Sequence, residues 1–308
     1  MSNFLQSTLN GLSVGALYSL VAVGFSLVWA CRRTVNFAHG SFYTAGAYAT
    51  FLVLSGMTGT TGGASVGAFL VAILLSTAVG GLLGAGIYYS LYLPLERSRT
   101  AEATPYIATL AVGAVIAASL HLLYSQNVSI VPHALPEGRV KILDAQISYT
   151  QIGILTLTLV SMLALHAFLT YTRHGRAMRA MSHDSVAAEL MGIRVQRLFL
   201  LSLVVSSGLA AAAGGLVAEY YGVIDPNMGL AIAVKGLTAA VVGGLGSVFG
   251  AVAGGLLVGL GEAYLTNLGA GPWKEVVVFG LLIAVLLIRP SGLLGASRKA
   301  VGDRELAA

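Results

Sequence analysis

The feature that most constrains this chain is the repetition of apolar runs about as long as a lipid bilayer is thick. A bilayer core of about 30 Å is crossed by roughly 20 residues of α-helix, because each residue adds about 1.5 Å. Runs of that length recur through the 308 residues, separated by short polar breaks. The pattern predicts an all-α, polytopic transmembrane bundle of about eight to nine spans, with residues 1–308 forming a single transmembrane domain. The candidate spans are residues 11–30, 36–54, 65–91, 105–124, 152–172, 198–218, 230–243, 250–268 and 275–288.

The composition excludes a water-soluble globule. Only 9% of the residues are charged and 56% are hydrophobic, whereas an average soluble domain has about 25% charged residues. The net charge of +5 comes from basic residues clustered between apolar runs, a distribution typical of membrane topology and not of nucleic-acid binding. The single cysteine, Cys31, excludes an internal disulfide and a cysteine-rich metal site.

Lysine and arginine predict the orientation of the bundle, because cytoplasmic loops carry an excess of both. With the N-terminus outside, Arg32, Arg33 and the five arginines between residues 173 and 197 face the cytoplasm, and the C-terminus lies inside. The residues left outside are Arg139, Lys141 and Lys274.

The run 230–243 is the weakest predicted span, since it is short and contains Lys235. A re-entrant hairpin there would invert every later segment and place the basic tail outside, against the charge rule. We therefore favour a short crossing.

Two loops are long enough to carry a function. Residues 126–151 predict an outer cap near the membrane surface. Residues 172–197 form a cytoplasmic loop in which apolar residues alternate with charges, a pattern that predicts one or two short amphipathic helices.

The sequence offers no visible catalytic machinery. It contains no G-x-x-x-x-G-K-[ST] phosphate loop, no H-E-x-x-H segment and no paired Cys or His at metal-ligand spacing. We predict no catalytic residue, no metal site and no enzymatic activity.

Few ionisable residues fall inside the predicted spans, where charge is costly and is therefore often functional. Glu262 and Lys235 are the strongest candidates, and structural pairing and a role in a transport pathway are equally compatible with them. His121 and His166 lie near the ends of their spans, which favours interfacial packing. None of these forms a proton relay.

Two segments predict broken helices, near residues 36–40 and 235–247. Transporters commonly build their pathway from helix breaks in corresponding places of two halves. For Asn36 and His39 the competing interpretation is helix capping near a membrane surface. The predicted pathway residues are Asn36, Phe37, His39, Gly40, Lys235, Thr238, Gly243, Gly244 and Gly246.

Several segments together resemble the membrane permeases of branched-chain amino-acid ABC transporters, in particular the LivH-type subunit. The resemblance covers nearly the whole chain. The segments that carry it are N-F-A-H-G at 36–40, G-R-A-M-R-A at 175–180, G-G-L-G-S at 243–247 and R-P-S-G-L-L-G at 289–295.

The resemblance implies one half of a translocation pathway, completed by a second homologous permease or by another copy of this chain. It also implies two cytoplasmic ATPase subunits, an extracytoplasmic substrate-binding protein and a place in the bacterial inner membrane. The chain itself would need no cofactor, because the ATPase partners bind the ATP.

A loop motif of the form E-A-A-x-x-x-G docks onto the ATPase in importers of this kind. Ala187, Ala188 and Gly192 fit it here, but Val186 takes the acidic position. The resemblance implies that residues 172–197 couple ATP hydrolysis to transport. The predicted coupling residues are Arg176, Arg179, Asp184, Ala187, Ala188, Glu189 and Gly192.

The expected substrates are branched-chain amino acids, because N-F-A-H-G is typical of that branch. Permeases of similar sequence that carry urea or short-chain amides are the first alternative. A secondary transporter driven by an ion gradient is an alternative from another class, and an intramembrane enzyme is disfavoured.

Overall fold

The computed structural model describes residues 2–61, 65–98, 103–124, 128–136, 138–142 and 145–295. The helical structure includes a π-helical turn, Tyr88–Tyr92, and a 3₁₀ turn, Gly271–Trp273. The helices are α1 Ser2–Arg32, α2 His39–Thr61, α3 Val66–Ile87, α4 Leu93–Ser98, α5 Thr104–Tyr124, α6 Tyr149–Tyr171, α7 Arg173–His183, α8 Ser185–Leu190, α9 Val195–Tyr221, α10 Met228–Gly243, α11 Val248–Asn267 and α12 Lys274–Ile288.

The predicted all-α, polytopic bundle is confirmed. Within the described ranges, seven helical segments are long and apolar enough to cross a membrane. Helix α2 has 23 residues but is less apolar, because glycine, serine, threonine and tyrosine interrupt its aliphatic residues. Helix α10 is apolar but has only 16 residues. Together these nine elements account for the nine predicted runs.

Helices α1 and α9 form the centre of the bundle. In the most apolar stretch of each helix, 83% of the residues of α1 and 72% of those of α9 are buried inside the protein. The corresponding share is 11% in α5 and in α12. The peripheral helices direct large apolar side chains outward. One example is Leu122 of α5, which is 86% exposed. An apolar exterior of this kind is what lipid requires.

Contacts at the helix ends define two opposite ends of the bundle. The Arg32 end contains the contacts of Glu96 with Arg32 and with Gln196. The Gln6 end contains the hydrogen bond between Gln6 and Gln146. Successive spanning helices alternate between these two ends.

Helix α10 crosses the bundle and does not turn back as a hairpin. Lys235 contacts Tyr18, Gly236 packs on Val21, and Gly246, just after the helix, faces Trp29. Helix α10 therefore runs parallel to α1 toward the Arg32 end, and α11 returns antiparallel to α1.

The helices α1–α3 and α9–α11 pack in equivalent ways. Helix α11 packs on α1 as α3 packs on α9, and α10 packs on α1 as α2 packs on α9. Because α1 and α9 run in opposite directions, the two sets form an inverted repeat of the type that many transporters contain.

Short strands, which the sequence did not predict, organise the loop at the Gln6 end. Strand β1 (Ser129–Ile130) pairs with β4 (Val223–Ile224), and β2 (Arg139–Ile142) pairs with β3 (Ala145–Ser148), both antiparallel. The first pairing ties the loop between α5 and α6 to the end of α9. The first residues of the predicted outer cap, 126 and 127, lie outside the described residues.

Candidate functional site

The first predicted helix break lies inside the bundle. After Arg32 the chain turns back, and α2 begins at His39, whose ring packs on Phe25 with centroids 4.4 Å apart. His39 Nε2 lies 3.2 Å from the carbonyl oxygen of Val21. Helix α2 therefore starts about two to three helical turns inside the Arg32 end.

Asn36 shapes this break. The Ala38 backbone N–H donates to Asn36 Oδ1 at 3.0 Å, which is the capping contact that the alternative interpretation predicts. Asn36 and His39 are both 1% exposed. In the part of the chain that the structure describes, Asn36 Nδ2 and His39 Nδ1 have no hydrogen-bond partner. A buried polar group left unpaired costs about 1–3 kcal/mol, so these atoms are places where water or a solute would be favoured.

The second predicted break is narrower than residues 235–247 and lies at the Arg32 end. Residues up to Gly243 are helical, and the chain turns only at Gly244 (φ 110°) and Gly246 (φ 89°). The backbone N–H of Leu293 donates to Val242 O, and that of Leu294 donates to Gly243 O, both at 2.9 Å. The glycine segment therefore forms a turn that the C-terminal R-P-S-G-L-L-G segment caps at the Arg32 end.

The structural counterpart of residues 36–40 is residues 225–229. In both places a helix ends in a residue with positive φ, Arg33 (56°) or Gly222 (67°), and an Asx turn follows. Each residue of the second segment lies 189 positions after its counterpart. The equivalent pairs are Arg33 and Gly222, Asn36 and Asp225, Ala38 and Asn227, and Gly40 and Gly229.

The two helix starts meet at Gly40 and Gly229. Each glycine lies directly against the carbonyl of the other, and a Cβ on either one would collide with it. The starts of α2 and α10 therefore lie against one another in the bundle. The turn signal Asp225-Pro226 could have located the second start from sequence.

The ionisable residues Lys235 and Glu262 pair with each other. Lys235 Nζ lies 2.7 Å from Glu262 Oε1, and Tyr18 donates its hydroxyl to Glu262 Oε2 at 2.8 Å. The two charged side chains are 13% and 9% exposed. The triad joins α1, α10 and α11 and satisfies the requirement that charge within a membrane be paired.

The predicted pathway residues do not converge on one site. Asn36, His39 and Gly40 lie at the crossing of α2 and α10, whereas Lys235 belongs to the triad. Thr238 is buried within α10, at 2% exposure. Phe37 is 42% exposed and packs edge-on against a tyrosine of α5.

Two serines in G-x-S-x-G segments, at 11–15 and 63–67, have structural roles. Ser13 is fully buried and donates to the Leu9 carbonyl within α1. Ser65 is the N-cap of α3 and accepts from the Ala68 N–H. Among the described residues no cluster of His, Cys, Asp and Glu is arranged to hold a metal ion.

The predicted coupling loop folds into the two short helices α7 and α8. Thr172 caps α7 by accepting from the Gly175 N–H, and Asp184 caps α8 by accepting from the N–H groups of Val186 and Ala187. Met178 and Met181 bury one face of α7. The opposite face carries the exposed arginines Arg176 and Arg179.

Helix α8 exposes apolar side chains at the Arg32 end, beside the start of α9. Val186 is 66% exposed, and Leu190 and Met191 are each 83% exposed, with the exposed Glu189 beside them. Ala188 is the buried contact of this helix. Gly192, at φ 82° and with open space around its Cα, ends the helix.

Sequence reasoning missed the role of Glu219. This residue is fully buried near the end of α9, and its carboxylate accepts hydrogen bonds of 2.9–3.1 Å from the backbone N–H groups of Ala134 and Leu135. His133 Nδ1 lies 3.9 Å away. Glu219 therefore anchors the outer loop to the bundle.

An inverted repeat of broken helices, with a short apolar helix exposed at one end, defines a membrane transport subunit. The chain matches the family model described as "Branched-chain amino acid transport system / permease component" over residues 7–286. It belongs to this family and is not an enzyme itself.

Three relatives support the assignment. The permease protein BraD of Pseudomonas aeruginosa, of a high-affinity branched-chain amino acid transport system, is 36% identical over 95% of this chain and 96% of its own length. The corresponding LivH of Escherichia coli is also 36% identical, with the same coverage. A probable LivH of Methanocaldococcus jannaschii is 29% identical over 92% of this chain and 90% of its own.

Proposed function

We propose that this chain is the permease subunit of an ATP-driven importer for branched-chain amino acids and forms half of its translocation pathway. The observation that carries the proposal is the exposed apolar surface of α8, defined by Val186, Leu190 and Met191. An apolar patch outside the membrane spans marks a place for a protein partner. Helices α7 and α8 connect α6 directly to the central helix α9. A displacement of α8 by a bound partner would therefore be transmitted to α9 in the core.

The proposed partners are two cytoplasmic ATPase subunits, a second homologous permease or another copy of this chain, and an extracytoplasmic substrate-binding protein. The proposed location is the bacterial inner membrane, with the N-terminus outside and the C-terminus in the cytoplasm. The arginines of α7 at the Arg32 end support this orientation, because basic residues are retained in the cytoplasm. ATP is bound by the partners.

Asn36, Phe37, His39, Gly40, Lys235 and Thr238 remain the proposed pathway residues of this subunit. Support comes from the meeting of two helix starts at Gly40 and Gly229 and from the unpaired polar atoms of Asn36 and His39. Repacking of bistable elements at such a crossing would open and close the pathway. Gly243, Gly244 and Gly246 are better explained as the turn that receives the C-terminal segment.

The coupling role is tested by Gly192→Trp in the complete importer. The bulky side chain projects into the open space beside α8 and blocks docking, so we expect uptake to fall at least tenfold with unchanged amounts of the chain in the membrane. Gly269→Trp is the matched control, because Gly269 has a similar φ of 74° and equally open surroundings at the opposite end. Normal uptake in Gly192→Trp would contradict the proposal.

Reversal of the exposed arginines of α7 is a second test of coupling. Arg176→Glu together with Arg179→Glu should leave insertion intact and uncouple ATP hydrolysis from uptake. Preserved uptake per ATP hydrolysed would remove α7 from the coupling path.

A further inference from the structure

A cavity of about 560 Å³ opens at the Gln6 end, between the start of α1, the β2–β3 hairpin and the end of α9. This volume suits a small organic solute. Carboxamides dominate its walls, together with one guanidinium and phenol groups. The lining residues include Gln6, Asn10, Arg139, Gln146, Gln151 and Tyr221.

The carboxamides are held in place by one another. Gln151 Nε2 and Gln6 Nε2 donate to Asn10 Oδ1 at 2.9 and 3.2 Å, and the Gln146 N–H donates to Gln6 Oε1 at 2.9 Å. The wall is therefore preorganised, neutral and rich in donors and acceptors. At the rim, the exposed Arg139 adds a positive charge to the lining.

The cavity lies above the ionic triad. Gly11, which follows the cavity residue Asn10, packs on α11 beside Glu262, because a Cβ on Gly11 would lie 3.0 Å from the Cβ of Ala263. The side chains of Lys235 and Glu262 are 13% and 9% exposed. The cavity and the ion pair are therefore neighbouring polar regions on α1 and α11, and the pair lies deeper than the residues that line the cavity.

The ion pair is not required by the fold of the repeat. The first half has Gly46 at the position equivalent to Lys235, and α2 packs on α9 through that glycine. Replacing a buried ion pair by uncharged groups of similar volume is often neutral for stability. The retention of two costly charges in one half calls for another explanation.

We infer that the cavity and the Lys235–Glu262 pair form an acceptor site for a free zwitterionic α-amino acid on the extracytoplasmic side. The solute carboxylate binds the Lys235 ammonium, and the solute ammonium binds the Glu262 carboxylate, to which Tyr18 also donates. A zwitterion separates the pair without leaving a charge uncompensated, whereas a neutral amide has no charges to offer. This inference rests on the proposed function and adds the chemistry of recognition.

The first test compares three variants in the complete, ATP-driven importer. The double variant Lys235→Met/Glu262→Gln removes both charges and keeps the volume, and each single variant leaves one charge unpaired. We expect leucine uptake to fall at least tenfold in all three, with unchanged amounts of the assembled complex in the membrane for the double variant. A merely structural pair predicts impaired single variants and near-normal uptake in the double variant, which would overturn the inference.

The second test keeps the pair intact. Tyr221→Cys places a thiol at the cavity, while Cys31, the chain's single native cysteine, is 4% exposed. Leucine delivered by the binding protein should slow labelling by a membrane-impermeant maleimide at least threefold, and urea should not. Leu268→Cys, at the same end but outside the cavity and 78% exposed, is the unprotected control. Equal labelling rates with and without leucine would overturn the inference.

The unmodified importer separates this inference from the proposed function. Leucine uptake by the unmodified complex together with full uptake by the double variant would overturn only the acceptor site. Absence of leucine uptake by the unmodified complex would overturn the proposed function and the acceptor site with it.

Discussion

Single residues at close contacts carry much of the architecture, and Gly40 is the most constrained. Its Cα faces the Gly229 carbonyl, and a Cβ would also lie 2.7 Å from the Ala233 Cβ. Backbone atoms cannot move aside as a flexible side chain can, so α2 and α10 would have to separate. Close approach through small residues is a general basis of helix packing in membranes.

Gly40→Ala should therefore destabilise the bundle by about 1–3 kcal/mol, the usual cost of overpacking. The expected result is a lower unfolding temperature in detergent and less chain in the membrane. Gly86→Ala is the control, because Gly86 is helical and has nothing within 4 Å of a Cβ. Equal stability of the two variants would show that the Gly40–Gly229 contact is looser than described.

Glu219 is the second residue with a specific stability role. Glu219→Ala leaves the N–H groups of Ala134 and Leu135 unpaired and opens a void, which should lower the free energy of unfolding by about 2–4 kcal/mol. The solvent-accessible pair of Arg32 and Glu96, with side chains 23% and 33% exposed, gives a control, and Glu96→Ala should cost about 0–1 kcal/mol. Chemical denaturation in detergent measures both, and a cost for Glu219→Ala no larger than that of the control would contradict the anchoring role.

Among the elements, the spanning helices were predictable and the breaks were only partly so. Long apolar runs located every spanning helix, because bilayer thickness leaves few alternatives. The break at Asn36 was predicted from its amide and glycines. The second break was predicted over residues 235–247, and the structure limits it to the turn after Gly243. The contact of this turn with the C-terminal segment was not predictable, because it joins residues far apart in the chain.

The site was less predictable than the fold for the same reason. The pairing of Lys235 with Glu262, and of Glu219 with the outer loop, depends on contacts between residues far apart in the chain. Apolar periodicity reports which elements form and not which elements meet. Only the local turn at Asp225-Pro226 carried a signal that could have revealed the inverted repeat.

The C-terminal segment 289–295 packs on the turn after α10 and holds it through two backbone hydrogen bonds. A Cβ on Gly292 (φ 79°) would lie 2.5 Å from the Cα of Gly244. Gly292→Ala should therefore destabilise the protein by at least 1 kcal/mol more than Gly269→Ala, in which the strain at φ 74° is matched but nothing lies nearby. Thermal unfolding compares them, and equal losses would argue against this packing.

At the scale of the whole molecule, the alternation of spanning helices places the loop before α9 and the loop after α11 at opposite ends. Arg194→Cys and Leu268→Cys report these two ends, since both residues are exposed. In intact cells a membrane-impermeant maleimide should label Leu268→Cys and should label Arg194→Cys only after the membrane is opened. The reverse pattern would invert the proposed orientation.

We expect this subunit to transport nothing by itself and to be driven from the Arg32 end. The most direct measurement is the uptake of labelled leucine into liposomes that contain this chain with or without its second permease and ATPase subunits. We predict accumulation only with the full assembly, ATP and a loaded binding protein, and none by this chain alone under an imposed proton or sodium gradient. Sustained, gradient-driven accumulation by this chain alone would contradict the account.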